Sequence, residues 1–384
     1  MKQSTTKKFT IGALSLLLGA CNGFFDKDNT PTPTPLTQFA TEVKTHQVWS
    51  TTANGGIVND YLKMVPAVGE QAIITADANG TITATNKTNG NILWKKATGL
   101  PLSAGPAANN HFVFVGSRKG DVVALNQQDG SQLWEAQLSS EILSPPAAKS
   151  GIVLVKTIDG QLTALSEQDG HVLWRYQQTE PSLILRGGSA PFIAGDTVVV
   201  GFANGRIAKL TLSEGSLDWQ QEVAIPQGSF AIQRMVDIDA NPFIYKNKIY
   251  VATYQGNISS LDLSFGRENW THDISSYTGL AVDSQRVYVS DATGHLWAFD
   301  TDTGTVDWRQ KQLEARNITG PALMGDYIVV GDGEGYLHWL SKQDGHFVAR
   351  TRVSWKSIIA APVVDDNVLY VLTMDGHLAA FTLG

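Results

Sequence analysis

Along the chain, short apolar runs alternate with breaks rich in Gly, Asp and Asn at a nearly constant interval. The clearest copy reads Gly120-Asp121-Val122-Val123-Ala124-Leu125, then the polar turn Asn126-Gln127-Gln128-Asp129-Gly130, then three residues and Trp134. Apolar residues at alternate positions, bounded by turn formers, predict a strand with one face buried. The same register starts at Gly80, Gly120, Gly160, Gly205, Gly256, Gly294, Gly335 and Gly376, at spacings of 40, 40, 45, 51, 38, 41 and 41 residues. Trp follows at the same offset in six copies, as Trp94, Trp134, Trp174, Trp219, Trp270 and Trp308. The seventh copy has Ala349 there, and the eighth reaches Gly384 before its Trp position.

Each period predicts four strands. In the third unit, a small-residue segment containing Pro comes first (Ser144-Pro145-Pro146-Ala147), and a continuous apolar run follows (Ile152-Val153-Leu154-Val155). The Gly-x-apolar-x-Ala-Leu strand is third and the Trp strand fourth. No amphipathic helix is evident after residue 60. Four strands per unit and eight units predict an all-β, eight-bladed β-propeller. An open β-solenoid is the alternative, but its coils are usually shorter. The strand missing from the last unit has a counterpart at Val48-Trp49, ahead of the first unit. An N-terminal strand completing the last blade closes the ring and leaves no free blade face.

The N-terminus has a different composition. Lys2, Lys7 and Lys8 precede an apolar stretch, Ile11 to Leu18, too short to span a bilayer as a stable helix. It ends Leu18-Gly19-Ala20-Cys21, similar to a bacterial lipobox, and predicts a signal peptide over 1–20 with lipidation at Cys21. Cys21 is the only cysteine, so no intramolecular disulfide is available. Asn22 in the next position implies, by likeness to the bacterial sorting rule, the outer membrane and a domain facing the periplasm. Residues 21–38, with Thr30-Pro31-Thr32-Pro33-Thr34-Pro35, read as an extended spacer, and 39–384 as the propeller. Loss of three leader lysines from 29 basic residues against 36 acidic ones leaves a mature net charge of −10. That balance argues against nucleic acid and against a basic membrane-binding face.

The two long intervals mark insertions. Residues 180–191 and 226–242 both precede the first strand of their unit, so both emerge on one face of the ring, one blade apart. Loops on a rigid scaffold are where binding surfaces concentrate. In the first, Leu183-Ile184-Leu185 followed by Arg186 is either an exposed apolar patch with a charged neighbour or the start of an innermost strand. In the second, Asp237 and Asp239 share one face of an extended segment. They face a basic partner or Arg186, or they are solvated loop acids. The eight histidines lack metal-ligand spacing. Gly331-Asp332-Gly333-Glu334-Gly335 reads as a turn, and no nucleophile elbow is present. These patterns point to no metal, no cofactor and no catalytic residue.

The Ala-Leu…Gly-x-x-x-Trp unit resembles the repeat of the pyrroloquinoline-quinone-dependent alcohol dehydrogenases, which are eight-bladed propellers. In them the Trp docks on the adjacent blade, which implies that Trp49, Trp94, Trp134, Trp174, Trp219, Trp270 and Trp308 are structural. The lipobox, the eight units, Leu183 to Pro191 and Arg234-Met235-Val236-Asp237-Ile238-Asp239 together are similar to the BamB family, lipoprotein subunits of the outer-membrane β-barrel assembly machinery. The resemblance covers nearly the whole chain. It implies a non-enzymatic scaffold that contacts the POTRA domains of BamA through Leu183, Leu185, Arg186, Asp237 and Asp239, sits among the other machinery subunits and serves unfolded outer-membrane protein clients. Clients pairing with an outer blade strand are one physical route. A periplasmic ligand- or glycan-binding propeller is the alternative. A quinone-dependent dehydrogenase is disfavoured, since those enzymes are longer and typically carry a vicinal disulfide.

Overall fold

Eight four-stranded antiparallel sheets, one per repeat, make up the computed structural model, which describes residues 31–56, 62 and 64–384. In the third sheet the strands are Ala147–Lys149, Ile152–Lys156, Gln161–Ser166 and Val172–Gln177. The others repeat this order, and we number the blades 1 to 8 from the sheet that begins at Ala67. Blade 8 takes its outer strand, Thr45–Thr52, from the other end of the chain, paired with His377–Leu383. The expected closure by the Trp49 strand is therefore present. The only helix among the described residues is one 3-10 turn, Ala231–Arg234.

The core lies between the sheets. Eight hydrophobic clusters each draw on two successive blades, for example Ile74 and Ala84 with Val113 and Val123, or Leu154 and Ala164 with Val198 and Ala208. The cluster of Trp49, Tyr370 and Ile73 seals blade 8 to blade 1.

The Trp residues join successive blades. In each of the seven blades with Trp, the residue just before it is an extra one in the outer strand, so the pairing shifts by one there. Such a bulge re-aims the next side chain. The indole then lies on the Gly of the next blade's turn. A Cβ on Gly130 would come 2.6 Å from Trp94, and one on Gly170 2.6 Å from Trp134. Both glycines also have positive φ, +72° and +73°, so two independent constraints require Gly there. Each indole N–H donates to a carbonyl of the same next-blade turn, as Trp94 to Gln127 (2.9 Å), Trp134 to Glu167 (2.9 Å) and Trp174 to Leu212 (2.8 Å).

Antiparallel order sorts the connections by face. Links from a fourth strand to the next blade, and turns between second and third strands, emerge together on what we call the loop face. Signal peptide 1–20, Cys21 and the spacer up to residue 30 lie outside the described residues. From Thr34 the chain, expected to be spacer, is already hydrogen-bonded to the propeller, its N–H donating to Glu314 O at 3.0 Å.

Trp134→Ala removes a nearly buried indole and its hydrogen bond. Truncations of this kind cost about 3–5 kcal/mol, so chemical denaturation is expected to show a loss of that order, whereas Leu133→Ala, at the exposed bulge residue, costs under about 1 kcal/mol.

Candidate functional site

The two insertions fold as neighbours and hold each other. Residues 180–191 link blade 3 to blade 4, and 226–242 link blade 4 to blade 5. Leu185 N–H donates to Asp237 Oδ1 at 2.8 Å, and Ala190 N–H to Asn241 Oδ1 at 2.7 Å. Gly187 backs onto Asp239, and a Cβ there would lie 2.5 Å from Asp239 Oδ2. Ile238 packs with Val199, Ile249 and Val251 in the junction of blades 4 and 5, so the second loop is rooted in the core.

The five residues singled out in these loops occupy one place but different depths. Leu183 is 42% exposed and Leu185 half-buried. Arg186 is exposed and pairs with Glu141 of the preceding link at 2.6 Å, not with Asp237 or Asp239. The reason is depth: Asp237 is 1% exposed and lies behind the loop backbone it holds. Asp239 is half-buried beneath Gly187. None of these residues starts an innermost strand, since the first strand of blade 4 is Phe192–Ala194.

Beneath the loops lies a group that pattern reading overlooked. Lys156 ends the second strand of blade 3, and its Nζ donates to Gly201 O at 2.8 Å and reaches Ser189 Oγ at 3.4 Å. Burial pushes its ammonium down in pKa, while the carboxylates of Glu180, Asp239 and Asp237 pull it back up. Glu180 in turn accepts from Ala203 N–H and Asn204 N–H at 3.2 and 3.1 Å. Burial also pushes Glu180 up, against the pull of Lys156. Asp237 is pushed up to about 7 by burial and then by Asp239, and its Oδ2 has no hydrogen-bond partner among the described residues. Lys156, Glu180, Asp237 and Asp239 line a cavity of about 30 Å³ with Leu185 and Gly187. Four positions before the repeat Gly, the eight copies read Ala76, Gly116, Lys156, Gly201, Ala252, Ser290, Gly331 and Leu372. The one charge in that register was the available signal.

The second loop also carries apolar groups that the sequence reading did not single out. Ile225, Phe230 and Ile232 are 67, 68 and 61% exposed. Exposed apolar side chains of this size on a loop are suited to protein contact.

A closed repeat ring of eight four-stranded blades, with its two longest links braced together, belongs to the class of eight-bladed β-propellers. The family model described as outer membrane protein assembly factor BamB matches residues 78–310 and 299–383. The outer membrane protein assembly factor BamB of Alkalilimnicola ehrlichii is 47% identical over 383 residues, covering 100% of this chain and 98% of that protein. The Escherichia coli K12 protein of the same name is 35% identical over 383 residues, 97% of each chain. The crystal structure of BamB from Moraxella catarrhalis superposes with a TM-score of 0.80 at 27% identity, covering 88% of this chain and 100% of that one. A quinohemoprotein alcohol dehydrogenase from Comamonas testosteroni, with a TM-score of 0.71 at 13% identity, shares the fold. The chain belongs to the BamB family.

The raised Asp237 carboxyl has a consequence for stability. Its folded pKa, about 7, stands above the ordinary 3.8, so the folded state holds a proton that the unfolded chain has released. Its contribution is full below about pH 4, declines as pH rises and levels off above about pH 7. Asp237→Asn keeps an oxygen for Leu185 N–H and removes the proton. Subtracting variant from wild-type stability between pH 4 and pH 8 is expected to give a downward slope totalling on the order of 4 kcal/mol; a flat difference contradicts the assignment.

Proposed function

We propose that this chain is a non-enzymatic scaffold of the outer-membrane protein assembly machinery, lipid-anchored through Cys21 and facing the periplasm. In this reading its loop face docks the POTRA domains of BamA and so places the propeller where unfolded outer-membrane proteins are handled. The observation that carries it is the mutual bracing of the two inserted loops, Leu185 N–H on Asp237 and Ala190 N–H on Asn241, in a chain of the BamB family. Leu183, Leu185 and Arg186 are the contact residues in this reading. Buried Asp237 acts by fixing Leu185, and Asp239 by seating the Gly187 backbone.

The division of roles follows from exposure. An exposed Leu and Arg beside one another are suited to an interface hot spot, whereas a carboxyl behind the backbone acts on a partner only through loop shape. A ligand- or glycan-binding propeller would use free aromatic rings in a pocket. The seven repeat Trp residues are instead committed to neighbouring blades through their N–H groups, from 2.8 Å for Trp49 to 3.3 Å for Trp270.

Titration of BamA POTRA domains with the soluble domain beginning at residue 22 tests the docking. Arg186→Ala and Leu183→Ala are each expected to weaken binding about tenfold or more, as loss of a hot-spot side chain does. Asp237→Ala, which frees Leu185 N–H, is expected to weaken it comparably with a normal circular dichroism spectrum. Equal affinity across all the folded variants would remove these loops from the interface; no binding by the wild type would remove the POTRA partner.

A further inference from the structure

The turn at Asp332 to Gly335, together with His338, belongs to a buried charge network that no docking role uses. Arg316 bonds Asp332 at 2.8 Å and Glu334 at 2.5 Å. His338, wholly buried, bonds Asp332 Oδ2 through Nε2 at 2.9 Å and accepts from Arg350 Nε at Nδ1, 3.1 Å away. Both arginines turn their remaining donors outward to the chain that precedes blade 8's outer strand. Arg316 donates to Thr34 O and Arg350 to Thr37 O, each at 2.9 Å. The Arg350 guanidinium lies 4.9 Å from the centre of the Phe39 ring, and Phe39 stacks on Phe347 at 5.5 Å. Glu42 N–H and Val43 N–H both reach Val348 O, at 2.9 and 3.3 Å.

These contacts reverse the direction in which the chain leaves the propeller. The outer strand of blade 8 starts with Thr45 opposite Leu383 and ends with Thr52 opposite His377. Its N-terminal end is therefore on the face opposite the loops, and a chain continuing straight would depart there. Residues 34–43 instead climb the side of blade 7. They reach Glu314 and Arg316, in the link between blades 6 and 7, on the loop face. Pro33 lines a cavity of about 340 Å³ there with Tyr277, Ile318, Ile359 and Met374.

We infer that this strap turns the loop face, with the 180–191 and 226–242 links, toward the bilayer that holds the anchor. The inference rests on the reading of Cys21 as lipidated. Eleven residues lie between Cys21 and Pro33, so the path from one to the other spans about 40 Å when fully extended. Most of that length would be used in doubling back around the rim if the opposite face were to rest on the membrane. The kind of surface presented to the bilayer-side partner is thus set by the strap contacts, not by the ring itself.

The test uses the full-length lipidated protein in phosphatidylethanolamine–phosphatidylglycerol vesicles carrying a headgroup acceptor dye. The Cys21 thiol is occupied by lipid, so a single introduced cysteine takes the donor. Gln227→Cys reports the loop face and Glu214→Cys, in a turn between third and fourth strands, the opposite face. Strands of six residues separate the faces by about 20 Å before turns are added, so energy transfer is expected to be about twofold or more higher from position 227. Adding Phe39→Ser is expected to erase that difference. Equal or reversed transfer from vesicle-bound protein overturns the orientation while leaving the anchor standing. A difference that survives Phe39→Ser overturns the strap as its cause. Protein that washes off the vesicles as readily as a Cys21→Ser control overturns the anchor reading and the orientation with it.

Discussion

The contact of one indole with the next blade's glycine is what the rest of the fold depends on. Each sheet is small and buries little alone, and the hydrophobic clusters form only where two blades meet. The Trp spans that junction: its ring covers the Gly turn, and its N–H occupies a carbonyl of the same turn. The bulge before each Trp supplies the angle, and it leaves Leu93, Leu133 and Leu173 exposed as a consequence. The seventh copy departs from the rule for a reason of topology. Its Trp would have to land on a turn between the third and fourth strands of blade 8. No such turn exists, because those two strands come from opposite ends of the propeller chain. Ala349 stands there, and its cross-strand partner Trp339 fills the junction, packing against Phe381.

A ring locked at every junction tolerates irregular links, and the two longest are where chemistry accumulates. Lys156 sits where the other blades have small or apolar residues, and three carboxyl groups converge on it from the inserted loops. The arrangement is costly in isolation, since buried charges require partners. Here it ties Glu180 of one loop and Asp237 and Asp239 of the other to the same strand end. The exposed side chains Leu183 and Arg186 are then held by backbone that is itself held from below. The N-terminal strap uses the same device at blade 7, where Asp332, His338 and two arginines secure otherwise featureless chain.

Much of this was legible in the sequence because repetition averages out local ambiguity. The period, the Trp offset, the closing strand at Trp49 and the placement of both insertions on one face all follow from aligning eight copies. What escaped were features particular to one copy. Lys156 is conspicuous only when its register is compared across blades. The partner of Arg186 is Glu141, in a link of ordinary length with no pattern to flag it. The residues 34–38, grouped with a Pro-Thr spacer on composition, are ordered by arginines some 280 to 310 positions away; low complexity describes what a segment lacks, not what it meets. Phe230 and Ile232 were overlooked because loop apolars carry no periodicity to announce exposure.

The most direct measurement is photo-crosslinking in the intact cell envelope, with a photoreactive amino acid at position 183 or 185 and, as the control, at 214. The account predicts capture of BamA POTRA segments from 183 and 185 and none from 214, which lies on the far side of the ring. Capture of BamA from 214 with none from either loop position would contradict it.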